Sequence, residues 1–202
     1  MKKLLFLLVM PLLANGQKVD TVITTDSYTS YFCKQYHQPL YVAYKLYKGG
    51  GNCSRAGFSF KNNIKTLPAA RQKDYDGSGY DEGHLANAED FAYDCTKEQE
   101  TFTFYNCLPQ TPALNRGIWK HYETEIRKLS QTDSILIICG GAKYKKTSTL
   151  YVPAVCWKIA RSLSTGKVIY ALYFTNTAKA ACKEETLSQL KKQLPCKLIL
   201  AQ

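Results

Sequence analysis

His84, one of three histidines in the chain, stands in the stretch Gly79–Asp90, GYDEGHLANAED, directly after a glycine and among carboxylates. A ring whose intrinsic pKa lies near neutrality, held among acids at the end of a loop, has the chemistry of a general base. Further on, Phe104–Glu123, FYNCLPQTPALNRGIWKHYE, carries Asn106, Pro109, Gln110, Asn115, Gly117, Trp119 and Glu123 along a loop that enters an amphipathic helix. Asn115 and Glu123 are eight residues apart, which on a helix is a rotation of about 80° and a rise of about 12 Å. Both then border one hollow, but a single ion touches only one of them and the other holds a metal-bound water. Plainer roles exist for the same residues: Asn115 as a helix N-cap, Glu123 as a solvated helix residue, Asp81 as a turn former.

The elements that must position these groups follow from periodicity. Asn115, Trp119, Tyr122, Ile126 and Leu129 recur at spacings of four, three, four and three, one face of a helix over residues 115–129. Residues 41–47, 134–139 and 168–174 are short Tyr-, Val- and Ile-rich runs that read as strands, with a weaker strand at 155–159. Residues 48–52 form a turn and 77–83 a loop, and a last helix over 184–194 places Leu187, Leu190 and Leu194 on one side. No strand opens into a glycine-rich phosphate loop. The class is α+β rather than a doubly wound nucleotide-binding sheet.

The first residues set the compartment. Lys2 and Lys3 precede an apolar run from Leu4 to Leu13, and Ala14 and Gly16 supply small residues for cleavage. This predicts a secretory leader over 1–16 and a single domain over 17–202, secreted or periplasmic, with no membrane attachment once the leader is removed. The competing reading, a short anchoring helix, needs about 18 apolar residues where the run has fewer. The chain of 202 residues has 27 Lys+Arg against 16 Asp+Glu, a net charge of +11, or +9 without the leader. The charge is uneven. Residues 74–100 carry minus eight and the rest of the mature chain +17, as expected of a polyanion-binding body around a patch that attracts a cation. Eight cysteines, none in a CxxC pair, predict mostly disulfides formed between neighbours, Cys182 with Cys196 among them.

At the residues of the first paragraph the chain resembles the DNA/RNA non-specific endonuclease family, a branch of the ββα-metal nucleases. The family signature Asp-Arg-Gly-His, followed by Leu or Gln and Ala, stands here as Asp81, Glu82, Gly83, His84, Leu85 and Ala86. Its second signature is matched without a gap by Asn106, Pro109, Gln110, Asn115, Gly117, Trp119 and Glu123. Arg55, the 138–141 strand end and the stretch from Val152-Pro153 to Trp157-Lys158 match it more weakly. The resemblance covers about residues 40–175. It implies a ββα-metal nuclease fold, a central antiparallel sheet with flanking helices, and hydrolysis of DNA and RNA phosphodiesters with little sequence preference. His84 would be the base, and Arg55 would stabilise the charged transition state. Asp81 and Asn106 would orient the His84 loop and the metal waters. One Mg²⁺ or Mn²⁺ ion would be held by Asn115, with Glu123 acting through water. The dimer state stays open, a homodimer included.

Glu82 departs from the family, which has Arg there. A negative charge at that position weakens phosphate binding, pairs with Arg55 or Arg116, or strengthens metal recruitment, and the sequence does not choose among these. It supports one alternative function, a nuclease-fold protein that binds nucleic acid with impaired turnover. The cysteines support another, a disulfide-rich secreted binding protein.

Overall fold

The structure, a computed structural model, describes residues 18–194. The expected leader and Cys196 lie outside those residues. The chain begins with strands β1 (Thr21–Thr24), β2 (Thr29–Cys33) and β3 (Gln38–Leu46), then leaves the sheet. The excursion contains helix α1 (Gln72–Tyr75), strand β4 (Asp81–His84), a 3₁₀ turn (Ala88–Phe91), helix α2 (Cys95–Glu100), strand β5 (Cys107–Gln110), a wide turn (Leu114–Trp119) and helix α3 (Lys120–Leu129). The chain re-enters the sheet as β6 (Ile135–Lys146), β7 (Tyr151–Ser162), β8 (Val168–Thr175) and β9 (Cys182–Glu184), and α4 (Leu187–Gln193) follows.

The main sheet has seven antiparallel strands in the order β1-β2-β3-β6-β7-β8-β9, and β4 pairs with β5 in a separate ribbon. Because β3 pairs directly with β6, Tyr41 opposite Gly140 and Leu46 opposite Ile135, everything between them is one excursion packed on one face of the sheet. A side chain on Gly140 would overlap the carbonyl of Leu40, so only glycine lets β3 and β6 approach there.

Both faces of the sheet are buried, which is why its strands read as continuous apolar runs rather than alternating ones. Ile135, Ile137, Cys139, Cys156 and Ala160 point to the excursion, where Phe91, Phe104, Leu108, Leu114, Trp119 and Ile126 meet them. Ile138, Val155, Trp157 and Ile159, one residue out of phase, point the other way and pack with Tyr41 and Leu190 of α4. Among the described residues no helix is long and apolar enough to cross a membrane.

The strands expected at 134–139 and 155–159 extend to 146 and 151–162, and the loop expected at 77–83 already contains the start of β4. The last helix starts at Leu187 rather than 184, because residues 182–184 pair as β9 and Thr186 caps the helix. The helix expected at 115–129 is broken at Gly117, whose φ of −105° and ψ of −112° are not helical. The turn before the break and α3 after it are therefore separate pieces. Leu129, placed on the buried face by periodicity, is exposed, and Glu123 is buried instead.

The expectation that most cysteines pair as neighbours is not met. Among the described residues there is one disulfide, Cys53–Cys95. Closing its loop of 42 residues stabilises by about 4 kcal/mol in chain-entropy terms. Cys33, Cys107, Cys139 and Cys156 are buried thiols. Burial pushes the Cys139 and Cys156 thiols up to about 12. These two are on adjacent strands but out of register, Cys139 opposite Lys158 and Cys156 opposite Gly141.

Candidate active site

The two sequence blocks meet because β4 and β5 pair: Asp81 lies opposite Gln110, Gly83 opposite Leu108 and His84 opposite Cys107. Asn106, just before β5, is completely buried and clamps the chain leaving His84. Its Oδ1 accepts from the Ala86 amide at 2.8 Å, and its Nδ2 donates to the carbonyls of Ala86 (2.9 Å) and Thr101 (2.8 Å). All three bonds go to main chain, so Asn106 holds the segment that leaves His84. Asn106→Ala would leave the buried Ala86 amide and carbonyl unpaired, while the Thr101 carbonyl keeps its bond from the Thr103 amide; it should cost about 2 kcal/mol of stability, read as a lower denaturant midpoint at unchanged slope.

The His84 ring sits against Phe60, with centroids 4.6 Å apart, and meets Phe102 edge-on at 4.7 Å. Its Nε2 is sealed from solvent without a hydrogen-bond partner among the described residues. Burial, followed by the Arg55 charge, pushes the His84 pKa down to about 3, so the ring is neutral at neutral pH.

Asp81 does not bond to the His84 loop as expected. Its carboxylate accepts from Asn115 Nδ2 at 2.9 Å and from Arg116 Nε and a terminal guanidinium nitrogen at 2.8 and 2.6 Å. Burial opposes ionisation of Asp81, but the bonds from Arg116 and Asn115 outweigh it and hold the pKa below the usual carboxylate range. With its nitrogen engaged by Asp81, the Asn115 carboxamide is oriented and its oxygen is left for another ligand. The N-cap reading of Asn115 fails, since its side chain bonds to Asp81 and the turn begins at Ala113 with no side-chain cap.

Glu123 is 6% exposed, which removes the solvated-residue reading. One carboxylate oxygen accepts from Lys158 Nζ at 3.3 Å. Lys158 is fully buried, with its ammonium 4.0 Å from the centre of the Trp119 ring. Strand parity brings it there: between Cys156 and Ala160 on β7, it faces the excursion as they do.

Arg55 is half-exposed, but its guanidinium is tethered, Nε donating to the wholly buried Glu98 at 2.8 Å and a terminal nitrogen to Glu89. Arg55, His84, Asn115 and Glu123 line one cleft of about 570 Å³, together with Arg116, Lys120 and Arg127. Asn87, Glu89 and Thr124 complete the wall. Asp81, Asn106 and Glu82 do not line it. The Glu82 carboxylate accepts from Gln72 at 2.8 Å, so its expected pairing with Arg55 or Arg116 is not made; those bases belong to Glu89 and Glu98, and to Asp81.

The acidic segment forms no cluster of metal-ligating side chains among the described residues. Its carboxylates are dispersed: Asp90 binds Arg127 at 2.7 Å and accepts from Tyr44, Asp94 caps α2, and Glu100 accepts from Ser27. Among the described residues no three His, Cys, Asp or Glu side chains gather around a common point.

Sequence reading missed Arg116, Lys120, Arg127, Lys158, Glu89 and Glu98. A signal existed for two of them, Lys120 and Arg127: with Glu123 and Thr124 they form a polar stripe at helical spacing beside the apolar one. A second missed residue group anchors the approach to Asn115. Buried Asn176 donates to the carbonyls of Pro109 and Pro153 and accepts from the Thr111 amide, each at 2.8 Å.

The cleft fits a hard divalent ion in its donor chemistry. The Asn115 oxygen and the Glu123 carboxylate are oxygen donors of the kind such an ion prefers, whereas Glu89 is engaged by Arg55. Three further bases in the wall suit a substrate that carries several negative charges.

Comparison with known proteins gives the family and the fold. The chain is 34% identical over 94 residues to mitochondrial endonuclease G of Bos taurus, covering 46% of this chain and 31% of that protein. It is 38% identical over 105 residues to a nuclease of Nostoc sp., covering 47% and 38%. The matched part spans about a third of the length of these relatives. A chain of the crystal structure of the EndoG/EndoGI complex superposes with a TM-score of 0.73 at 20% identity, over 88% of this chain and 85% of that one, which establishes the ββα-metal nuclease fold. The sequence profile of DNA/RNA non-specific endonucleases matches residues 11–194, most of the chain: the chain belongs to the DNA/RNA non-specific endonucleases.

Proposed function

We propose that the protein is an exported, metal-dependent endonuclease that hydrolyses phosphodiester bonds of DNA and RNA with little sequence preference. The observation that carries this reading is the convergence of His84, Arg55, Asn115 and Glu123 on one cleft with Arg116, Lys120 and Arg127. A polyanionic strand is drawn to the basic wall, and the neutral His84 ring accepts a proton from the attacking water. Arg55, held by Glu89 and Glu98, offers fixed positive charge to the phosphate as its charge grows. Asn115 and Glu123 would hold one Mg²⁺ or Mn²⁺, Asn115 directly and Glu123 through water. The ion, when bound, neutralises phosphate charge and assists the leaving oxygen. Asp81 keeps the Asn115 oxygen aimed, and Lys158 pairs with Glu123 from β7.

The alternatives lose their support. An impaired enzyme rested on Glu82, which bonds to Gln72 away from the cleft, and a disulfide-rich binding protein rested on crosslinks of which the described residues contain one. The test is incubation of the purified mature protein with plasmid and with RNA, with Mg²⁺ or with chelator. Degradation of both that the chelator stops is expected; binding without cleavage would overturn the reading. Glu82→Arg should cleave at least as fast as the parent, since it makes the surface that attracts a polyanion more positive and removes only the Gln72 bond. A marked fall in its initial rate would show that Glu82 has a role of its own.

A further inference from the structure

The one disulfide among the described residues joins the two segments that hold Arg55. Cys53 lies two residues before Arg55, and Cys95 opens α2, one turn before the buried Glu98 that accepts from Arg55 Nε. The same seam has two further contacts: the Cys53 amide donates to the Ala92 carbonyl at 3.1 Å, and Gly51 lies so close to Ala92 that a Cβ would overlap its main chain. The loop carrying Arg55 is exposed from Ser54 to Gly57, between the Cys53 tie and Phe58, whose ring meets Phe102 edge-on. Cys95 is also exposed and Cys53 half-exposed, within reach of a small thiol, whereas Cys33, Cys107, Cys139 and Cys156 are buried.

We propose that the Cys53–Cys95 disulfide, with Glu98, is a positioning device for Arg55, so that the nuclease is active when this bond is formed and weak when it is reduced. The inference rests on the function proposed above. Reduction by a dithiol such as dithiothreitol transfers two electrons and two protons to the bond. The sulfur–sulfur link breaks to give two thiols, and the dithiol closes into its cyclic disulfide. The seam then keeps its hydrogen bonds and the Gly51–Ala92 contact but no covalent tie, and the guanidinium leaves its place over the cleft. The protein is thereby quiet in thiol-rich surroundings and active where disulfides persist.

The experiment compares oxidised and dithiothreitol-reduced full-length mature protein in Mg²⁺ on plasmid DNA, for the parent and for Arg55→Ala. Reduction should lower the parent kcat by about 10- to 100-fold, the scale of a misplaced catalytic group, with KM nearly unchanged and recovery on reoxidation. In Arg55→Ala, already slow, reduction should change nothing further. Glu98→Gln, which keeps the disulfide but removes the buried charge, should show the same kcat loss, again absent in the Arg55→Ala background. An unchanged parent kcat on reduction overturns the inference, as does an equal loss in both backgrounds, which would mean general loosening. If the oxidised parent fails to cleave at all, it is the nuclease reading that falls.

Discussion

His84→Ala is expected to lower cleavage of both DNA and RNA by about 10²- to 10⁴-fold, the contribution of a positioned general base. Binding of nucleic acid in the presence of chelator should be retained, because the basic wall of Arg116, Lys120 and Arg127 is untouched. Initial rates and gel-shift affinity measured on the same preparation check this, and a variant that cleaves at the parent rate would remove His84 from the mechanism. The pH dependence follows from the cage around the ring. Burial against Phe60 and Phe102, together with the Arg55 charge, holds the His84 pKa at about 3, so the acid limb of kcat/KM due to this base should lie below the ordinary histidine value of about 6.5. Phe60→Ala removes apolar packing from the ring's buried side and should move that limb upward. Asp90 contributes its own titration near 6, where burial raises its pKa and Arg127 restrains the rise; Asp90→Asn separates the two.

The same shift has a consequence for stability. Below about 6.5 the unfolded chain protonates His84 while the folded chain resists until about 3. The unfolded state therefore binds more protons across that window, and the His84 contribution to stability declines as pH falls through it. Asp90 acts in the opposite sense between its ordinary value and about 6, since there the folded state binds the proton more tightly.

Asn115→Ala should be as damaging by a different route. It removes the oxygen that Asp81 orients and should lower the rate at moderate Mg²⁺ by at least about 10²-fold, since even outer partners of a metal ligand cost 10- to 100-fold. The Mg²⁺ half-saturation should move to higher concentration, whereas in His84→Ala it should not. Asn115→Asp keeps an oxygen but loses the amide nitrogen that donates to Asp81 at 2.9 Å, setting two carboxylates against each other, so it should recover activity only partly. Parent-like rates and Mg²⁺ dependence in Asn115→Ala would place the ion elsewhere.

The parts of the fold legible in the sequence were those with long apolar runs or a clear helical period: β3, β6, β8 and the body of α3. Strands β1, β2, β5 and β9 were not, because each is three to five residues long and has little period of its own. The break at Gly117 was hidden for a related reason: the apolar period continues across it, although the backbone does not.

Residue types and spacing marked His84, Asn115 and Glu123 as candidates and the charge favoured a polyanion, while the resemblance joined those three, with Arg55, in one chemistry. Only the tertiary structure decided how each is held. Asp81 orients Asn115 rather than His84, Glu89 and Glu98 hold Arg55, Lys158 reaches Glu123 from β7, and Cys53 pairs with Cys95 instead of a nearer neighbour. Each of these partnerships joins residues far apart in the chain, and depends on β3 pairing with β6 and on strand parity, which set the facing of a side chain only once the register is formed.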